Sequence, residues 1–308
     1  MRSVVFAYHD IGYVCLQELL SAGATVTAVI THEDDAKEEI WFRSVRQLAE
    51  ARGLPVFTPE RVNTAEWVSR IAGWQPDFLF SFYYRKILSN EILAIPARGA
   101  LNLHGSLLPK YRGRCPVNWV LLHDEHETGV TLHYMEEKPD RGDIVAQRAV
   151  PITDDDTALT LFRKLTDAAV VLMRETYPLL AAGRAPRVPQ VHAQASYFGG
   201  RTPEDGRIEW AQPARAIFNL VRAVTHPYPG AFTTWGGRRL SVWEARPVAA
   251  AQRTKAPEGT VILTQPQLLV QTGSEPLRLI RVQCDGEPEL LGADWARRYG
   301  IEEGVHFL

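Results

Sequence analysis

SVVFAYHD (residues 3–10), IGYVCLQELLSAG (11–23) and TVTAVITH (25–32) follow one another at the start of the chain, and their order decides the fold. The first and third runs are short, β-branched and largely apolar, as buried strands are, while the run between them has the apolar spacing of a helix. A strand, a helix and a second strand make a βαβ unit. The rhythm continues through SVRQLAEARG (44–53), LPVFTP (54–59), WVSRIAGW (67–74), DFLFSFYY (77–84), KILSNEILAI (86–95) and ALNLHGSLLP (100–109). This pattern predicts an α/β domain with a mostly parallel sheet, Rossmann-like in plan, whose loops at the strand ends are where such sheets place their ligands.

Past Pro116, VNWVLLHDE (117–125) reads as a buried helix, GVTLHYM (129–135) and DIVAQRAV (143–150) as strands, and residues 157–183 as a long helix that closes the first domain. Residues 183–210 are rich in Pro, Gly and polar side chains, as an interdomain connection is. One helix, PARAIFNLVRAV (213–224), then precedes short strands with Gly turns: GAFTTW, RRLSVWEARPV, GTVILTQ, QLLVQTG and LRLIRVQCDG. The expected division is a first domain over 1–189, a linker over 190–210 and a small β-rich, OB-like barrel over 211–308.

Composition narrows the function classes. With 45% apolar and 23% charged residues the chain is an ordinary globular protein. The first residues lack the pattern of a secretory leader and no window reaches the roughly 20 apolar residues of a membrane span, so a cytoplasmic protein without membrane insertion is expected. Cys15, Cys115 and Cys284 show no CxxC spacing, which argues against disulfides and a thiolate metal site. A net charge of -2 supplies no general attraction for a polyanion.

The turn after the first run, AYHDIGYVCL, holds one glycine where a dinucleotide fingerprint needs three, and no phosphate-cradling P-loop occurs anywhere. His9-Asp10 is expected to end the first strand, where a substrate contact is open to it. His123 and His126 are three apart and could share a helix face, but with no HExxH and no cysteine pair they read as an exposed helix end. The informative segment is NLHGSLLPKYRG (102–113). Residues two apart on a strand share a face, so Asn102 and His104 present an amide donor and an imidazole side by side.

This segment resembles the signature of the N10-formyltetrahydrofolate-dependent formyltransferases, and the resemblance runs over nearly the whole chain. The family has an Asp some 35 residues beyond the His, which falls on Asp140 in GVTLHYMEEKPDRGDIVAQ, and RTPEDGRIEW and IFNLVRAVTHPYPGAF resemble its interdomain link and the start of its C-terminal domain. The resemblance implies that Asn102 stabilises the oxyanion formed when an amine attacks the formyl carbonyl. It implies that His104 shuttles protons from the amine to the leaving nitrogen, and that Asp140 holds the imidazole and favours its protonated form. By the same resemblance N10-formyltetrahydrofolate is the co-substrate, no metal is required, and the pterin slot is formed by Lys86, Ile87 and Leu88 with Glu136, Glu137, Lys138, Pro139 and Asp140, and Arg114 nearby.

The family's acceptors include methionyl-tRNA, glycinamide ribonucleotide and amino-sugar nucleotides, and one member simply releases formate. Methionyl-tRNA enzymes have a long basic loop after the second strand, whereas residues 32–39 here read HEDDAKEE, five acids and one lysine, which would repel an acceptor stem. VVFAYHDIG, SFYYRKIL and NLHGSLLPKYRGRCPVNWVL look like formyltransferases acting on UDP-4-amino-4-deoxy-L-arabinose, a sugar nucleotide used to modify lipid A in polymyxin resistance. That implies a UDP-amino-sugar partner and no nucleic acid, with Lys110, Arg112, Arg114 and Arg201 as the basic groups for a diphosphate. Larger members carry a decarboxylase domain, so a stand-alone transferase, a piece of a longer chain and an oligomer are all open. A non-catalytic folate or nucleotide sensor is the binding-module alternative; it has no use for an oxyanion donor beside a proton shuttle.

Overall fold

A computed structural model describes residues 1–34, 40–248 and 254–308. The acidic run expected to repel a tRNA stem lies, for residues 35–39, outside the described residues. The chain forms two compact units, one of Met1–Pro116, Glu127–Pro151 and Phe162–Gly199, the other of Val117–His126, Ile152–Leu161 and Gly200–Leu308.

The first unit is built on strands β1 (Arg2–Ala7), β2 (Thr25–Ile30), β3 (Val56–Phe57), β4 (Phe78–Phe82), β5 (Ala100–His104), β6 (Arg112–Gly113), β7 (Glu127–Tyr134), β8 (Ile144–Pro151) and β9 (Tyr197–Phe198). Its helices are α1 (His9–Ser21), α2 (Val45–Ala51), α3 (Ala65–Gly73) and α4 (Asn90–Leu93); α5 (Pro116–Leu122) and α6 (Ala158–Ala181) each have residues in both units. The main sheet runs β3-β2-β1-β4-β5-β7-β8. Its first four pairings are parallel, and the two joining β7 to β5 and β8 to β7 are antiparallel. The α/β class with a mostly parallel sheet is therefore as the sequence implies. Every residue of β4, FLFSF, is buried, which is why no polar alternation marks it.

The lone glycine of the first turn has a packing reason. A Cβ on Gly12 would stand 3.1 Å from the Phe82 carbonyl oxygen and 3.2 Å from Ala7, so a larger residue would have to push α1 or the ends of β1 and β4 aside by a few tenths of an ångström. His9 and Asp10 differ from expectation: β1 stops at Ala7, and the two residues open α1 instead of ending the strand. His9 has φ +66, its Nδ1 accepts the Asp10 N–H, and its ring stacks on Phe42 at 3.9 Å.

In the second unit, β10 (Ala231–Trp235), β11 (Arg238–Pro247), β12 (Val261–Leu263), β13 (Leu268–Val270), β14 (Leu277–Cys284) and β15 (Leu290–Leu291) form an antiparallel sheet with order β10-β11-β14-β13-β12, β15 lying on β14. The last residues bond to both edges: Leu308 N–H donates to Thr234 O (3.0 Å) and Gly304 N–H to Val261 O (2.8 Å). These bonds curl the sheet into a half-barrel and cover edge groups that would otherwise be open to pairing. Helix α7 (Ala214–Val224) matches the expected segment, whereas the short α8 (Gly292–Arg298) carried no sequence signal. Helix α5 ends at Leu122, so His123 and His126 share no helix face; both are exposed, and His123 directly follows the helix end.

Candidate active site

Strand β5 alternates Leu101 and Leu103, both buried, with Asn102 and His104 on the other face. Directly across the antiparallel pair, Asn102 meets His133 and His104 meets Thr131. Beyond β5 the chain turns sharply. Ser106 Oγ donates to the Lys110 carbonyl (2.7 Å), Thr131 Oγ1 donates to the Ser106 carbonyl (2.6 Å), and Leu108 N–H donates to Thr131 Oγ1 (3.1 Å). Folded this way, the turn brings the Tyr111 carbonyl within 2.8 Å of His104 Nε2. A carbonyl only accepts, so Nε2 carries a proton, and Nδ1 is the nitrogen left to exchange one.

Nδ1 faces Asp140 Oδ1 at 3.5 Å, with both side chains largely buried. That is an ion-pair distance beyond a good N–H···O bond; the bond that fixes the ring comes from Tyr111. Tyr134 pairs with Leu101, so the chain leaves β7 beside the start of β5, and residues 135–143 must turn back to carry Asp140 to His104. Asp140 has φ +59, a conformation Asp tolerates better than most residues. Its Oδ1 lies between His104 and His133 (3.6 Å), and its Oδ2 accepts the Gly113 N–H at 2.8 Å. Burial opposes ionisation, but His104, His133 and the Gly113 N–H together hold the Asp140 carboxyl well below the usual carboxylate range.

Gly113 is constrained twice: φ is +97, and a Cβ would stand 2.2 Å from the Phe198 carbonyl oxygen across the β6–β9 pair. Next to it, Arg112 is 1% exposed and bonded to Gln190 Oε1, the Tyr197 hydroxyl and His192 Nδ1. Gln190 in turn donates through Nε2 to the carbonyls of Asp140 (3.0 Å) and Gly142 (2.7 Å). Arg112 therefore supports the Asp140 loop from within and is not available to a diphosphate, which corrects the expectation for this residue. Of the other basic groups, Lys110 and Arg114 are exposed, while Arg201 belongs to the second unit, where it caps Asp205 O and covers Trp119.

Residues expected to form a pterin slot are distributed as follows. Lys86 Nζ donates to the carbonyls of Pro59 and Glu60, Leu88 is buried in the core cluster, and Ile87 is 70% exposed. Glu136, Glu137, Lys138 and Pro139 are all exposed. Since β4 and β7 flank β5, the segments that follow them border the strand carrying Asn102 and His104. Sequence reasoning missed His133, Gln190 and the Tyr111 carbonyl. His133 sits in an ordinary strand pattern, and Gln190 in a stretch whose composition suggests only a connection. Among the described residues no group of three or more His, Cys, Asp or Glu is placed to hold a metal ion, and no helix is long and apolar enough to cross a membrane.

Comparison with known proteins identifies the family and the fold. The profile of the formyl transferase family matches residues 2–176, and that of the formyl transferase C-terminal domain matches residues 201–300. Among solved structures, WlaRD, a sugar 3N-formyl transferase in the presence of dTDP and 5-N-formyl-THF, is 18% identical, with a TM-score of 0.71 over 94% of this chain and 99% of that one. An N-formyltransferase from Helicobacter canadensis in complex with folinic acid and dTDP-3-aminofucose is 19% identical, with a TM-score of 0.68 over 90% of this chain and 98% of that one. HypX from Aquifex aeolicus in complex with tetrahydrofolic acid is 17% identical, with a TM-score of 0.65 over all of this chain and 50% of that one. At such identities the likeness establishes a shared fold.

Proposed function

Since this chain belongs to the formyl transferase family, we propose that it moves the formyl group of N10-formyltetrahydrofolate onto the amine of a nucleotide-linked amino sugar, with Asn102, His104 and Asp140 as its catalytic residues. The observation that carries the reading is the convergence of an amide donor and an imidazole with one exchangeable nitrogen, both on one face of β5, with a largely buried carboxylate from the loop after β7. The folate supplies an activated formyl group on a nitrogen able to leave. The chain's own residues do the rest. Asn102 Nδ2–H donates to the formyl oxygen as it gains charge, a contribution of about 2.7–4 kcal/mol for one such donor. His104 Nδ1 takes the proton of the attacking amine and returns it to the departing nitrogen. Asp140, ionised at neutral pH, stabilises the imidazolium between the two steps. Lys86, Ile87, Leu88 and residues 136–140, with Arg114, are proposed to hold the folate.

The acceptor we favour is UDP-4-amino-4-deoxy-L-arabinose, placing the enzyme in lipid A modification and polymyxin resistance. The support is the local resemblance of VVFAYHDIG, SFYYRKIL and NLHGSLLPKYRG, together with an acidic sequence at 33–39 and a net charge of -2, which disfavour a tRNA stem. Formyl transferases described with dTDP or with dTDP-3-aminofucose share the fold, which keeps other amino-sugar nucleotides in view. The test offers N10-formyltetrahydrofolate with UDP-4-amino-4-deoxy-L-arabinose, a dTDP-amino sugar or methionyl-tRNA separately and identifies the product by mass. Formylation of the tRNA in preference to both sugars overturns the acceptor class. Formate release without any amine would make the protein a hydrolase.

A further inference from the structure

His133 is 1% exposed and stands directly opposite Asn102 across the β5–β7 pair. Its Nδ1 is 2.7 Å from the Tyr134 carbonyl oxygen, which only accepts, so Nδ1 carries the proton. In the neutral ring Nε2 is then a bare acceptor. The Asn102 amide lies 3.2 Å from Nε2, and the atom facing it must be the donating nitrogen. Asp140 Oδ1 lies 3.6 Å from the same Nε2, farther than the amide and beyond a good hydrogen bond.

An Asn amide has two ends of nearly equal size, one donor and one acceptor, and nothing intrinsic to the strand selects between them. We propose that His133 is the positioning residue for Asn102: its Nε2 takes one N–H of the amide, which points the other N–H toward the formyl oxygen and prevents the amide from presenting its carbonyl there. This rests on the formyl-transfer reading for what the free N–H does, while the proton on His133 Nδ1 follows from its hydrogen bond and, with the ring neutral, fixes the orientation of the amide. A doubly protonated ring would reverse the arrangement, because Nε2–H would then call for the amide oxygen.

Two measurements test this. In kinetics, His133→Leu is expected to lower kcat about tenfold, the scale of one directed hydrogen bond, with KM for folate and for the acceptor within about twofold. His133→Gln, whose side-chain oxygen can take the amide N–H, recovers most of that loss. In an Asn102→Ala background His133→Leu changes kcat by less than about twofold, since there is no amide left to orient. Equal effects of His133→Leu in both backgrounds, or a Gln variant no better than Leu, overturn the proposal. In the wild-type protein with 15N-labelled histidine, the ring nitrogen shifts assign the tautomer without any turnover: a proton on His133 Nδ1 and none on Nε2 is expected, and a proton on Nε2 overturns the proposal even if His133→Leu fails to fold. Absence of wild-type formyl transfer to every amine refutes the functional reading and leaves the tautomer to decide the positioning role.

Discussion

Asp140→Asn is the cleanest perturbation the site allows. Asn is nearly isosteric, tolerates the left-handed conformation at φ +59, and its carbonyl can still accept the Gly113 N–H, so the backbone of the loop is left in place. What changes is charge. A carboxylate 3.5 Å from His104 Nδ1 attracts an imidazolium by roughly 5 kcal/mol at an effective dielectric of about 20. Desolvation and the sharing of that charge with His133 and Gly113 reduce the net effect. A second consequence runs in the same direction: with its oxygen on Gly113, the amide turns an N–H toward His104 Nδ1 and occupies the lone pair that must take the proton. The expected loss is about 3–4 kcal/mol of transition-state stabilisation, a 10²–10³-fold fall in kcat with folate affinity retained. The assay is single-turnover formyl transfer beside folate binding by fluorescence. A folded variant within about tenfold of wild type would refute the role given to the carboxylate. Stability supplies an independent check. The Asp140 carboxyl is depressed in the folded state, so its contribution is full above the ordinary carboxylate value of about 4 and is lost as pH falls below it. In urea unfolding, the advantage of wild type over the variant should be greatest above about pH 4 and shrink below it.

Asn102→Ala should cost about 10²–10³ in kcat while folate still binds, measured by the same pair of assays; a loss of binding without a loss of rate would contradict an oxyanion role. Gln190→Leu leaves the Arg112 guanidinium short of an acceptor and two loop carbonyls without a donor, so a destabilisation of about 3 kcal/mol or more is expected in urea titration, together with weaker activity from a displaced Asp140 loop. His32 is pushed down to about 4 by burial and by Lys86 and Arg85, and its Nε2 accepts the Arg85 N–H. A depressed His contributes stability that is full above about 6.5 and falls away as pH drops toward 4, so His32→Gln should flatten the urea midpoint across that window. In native protein only Cys115 should react rapidly with a thiol reagent, because Cys15 and Cys284 are buried and desolvation raises the Cys15 thiol; rapid labelling of all three without denaturant would refute that packing.

The sequence by itself determined the alternation of buried strands and helices, because strands covered on both faces must be apolar throughout and helices on a sheet must be amphipathic, and both constraints are local. It also determined that Asn102 and His104 share a face, since strand alternation requires it, and the length of the signature marked the family. Register across the sheet was not legible. Which residue of GVTLHYM stands opposite Asn102 depends on how β7 pairs with β5, and that pairing makes His133 part of the site. The carbonyl that holds His104 belongs to Tyr111 because of a turn tied by Ser106 and Thr131, whose hydrogen-bond partners no local pattern specifies. Arg112 illustrates the same limit in charge: a guanidinium in a polar loop reads as a ligand for phosphate until tertiary structure buries it against Gln190, Tyr197 and His192. Local pattern fixes what each segment must hide from water, and only the folded chain decides which distant polar groups satisfy one another once they are hidden.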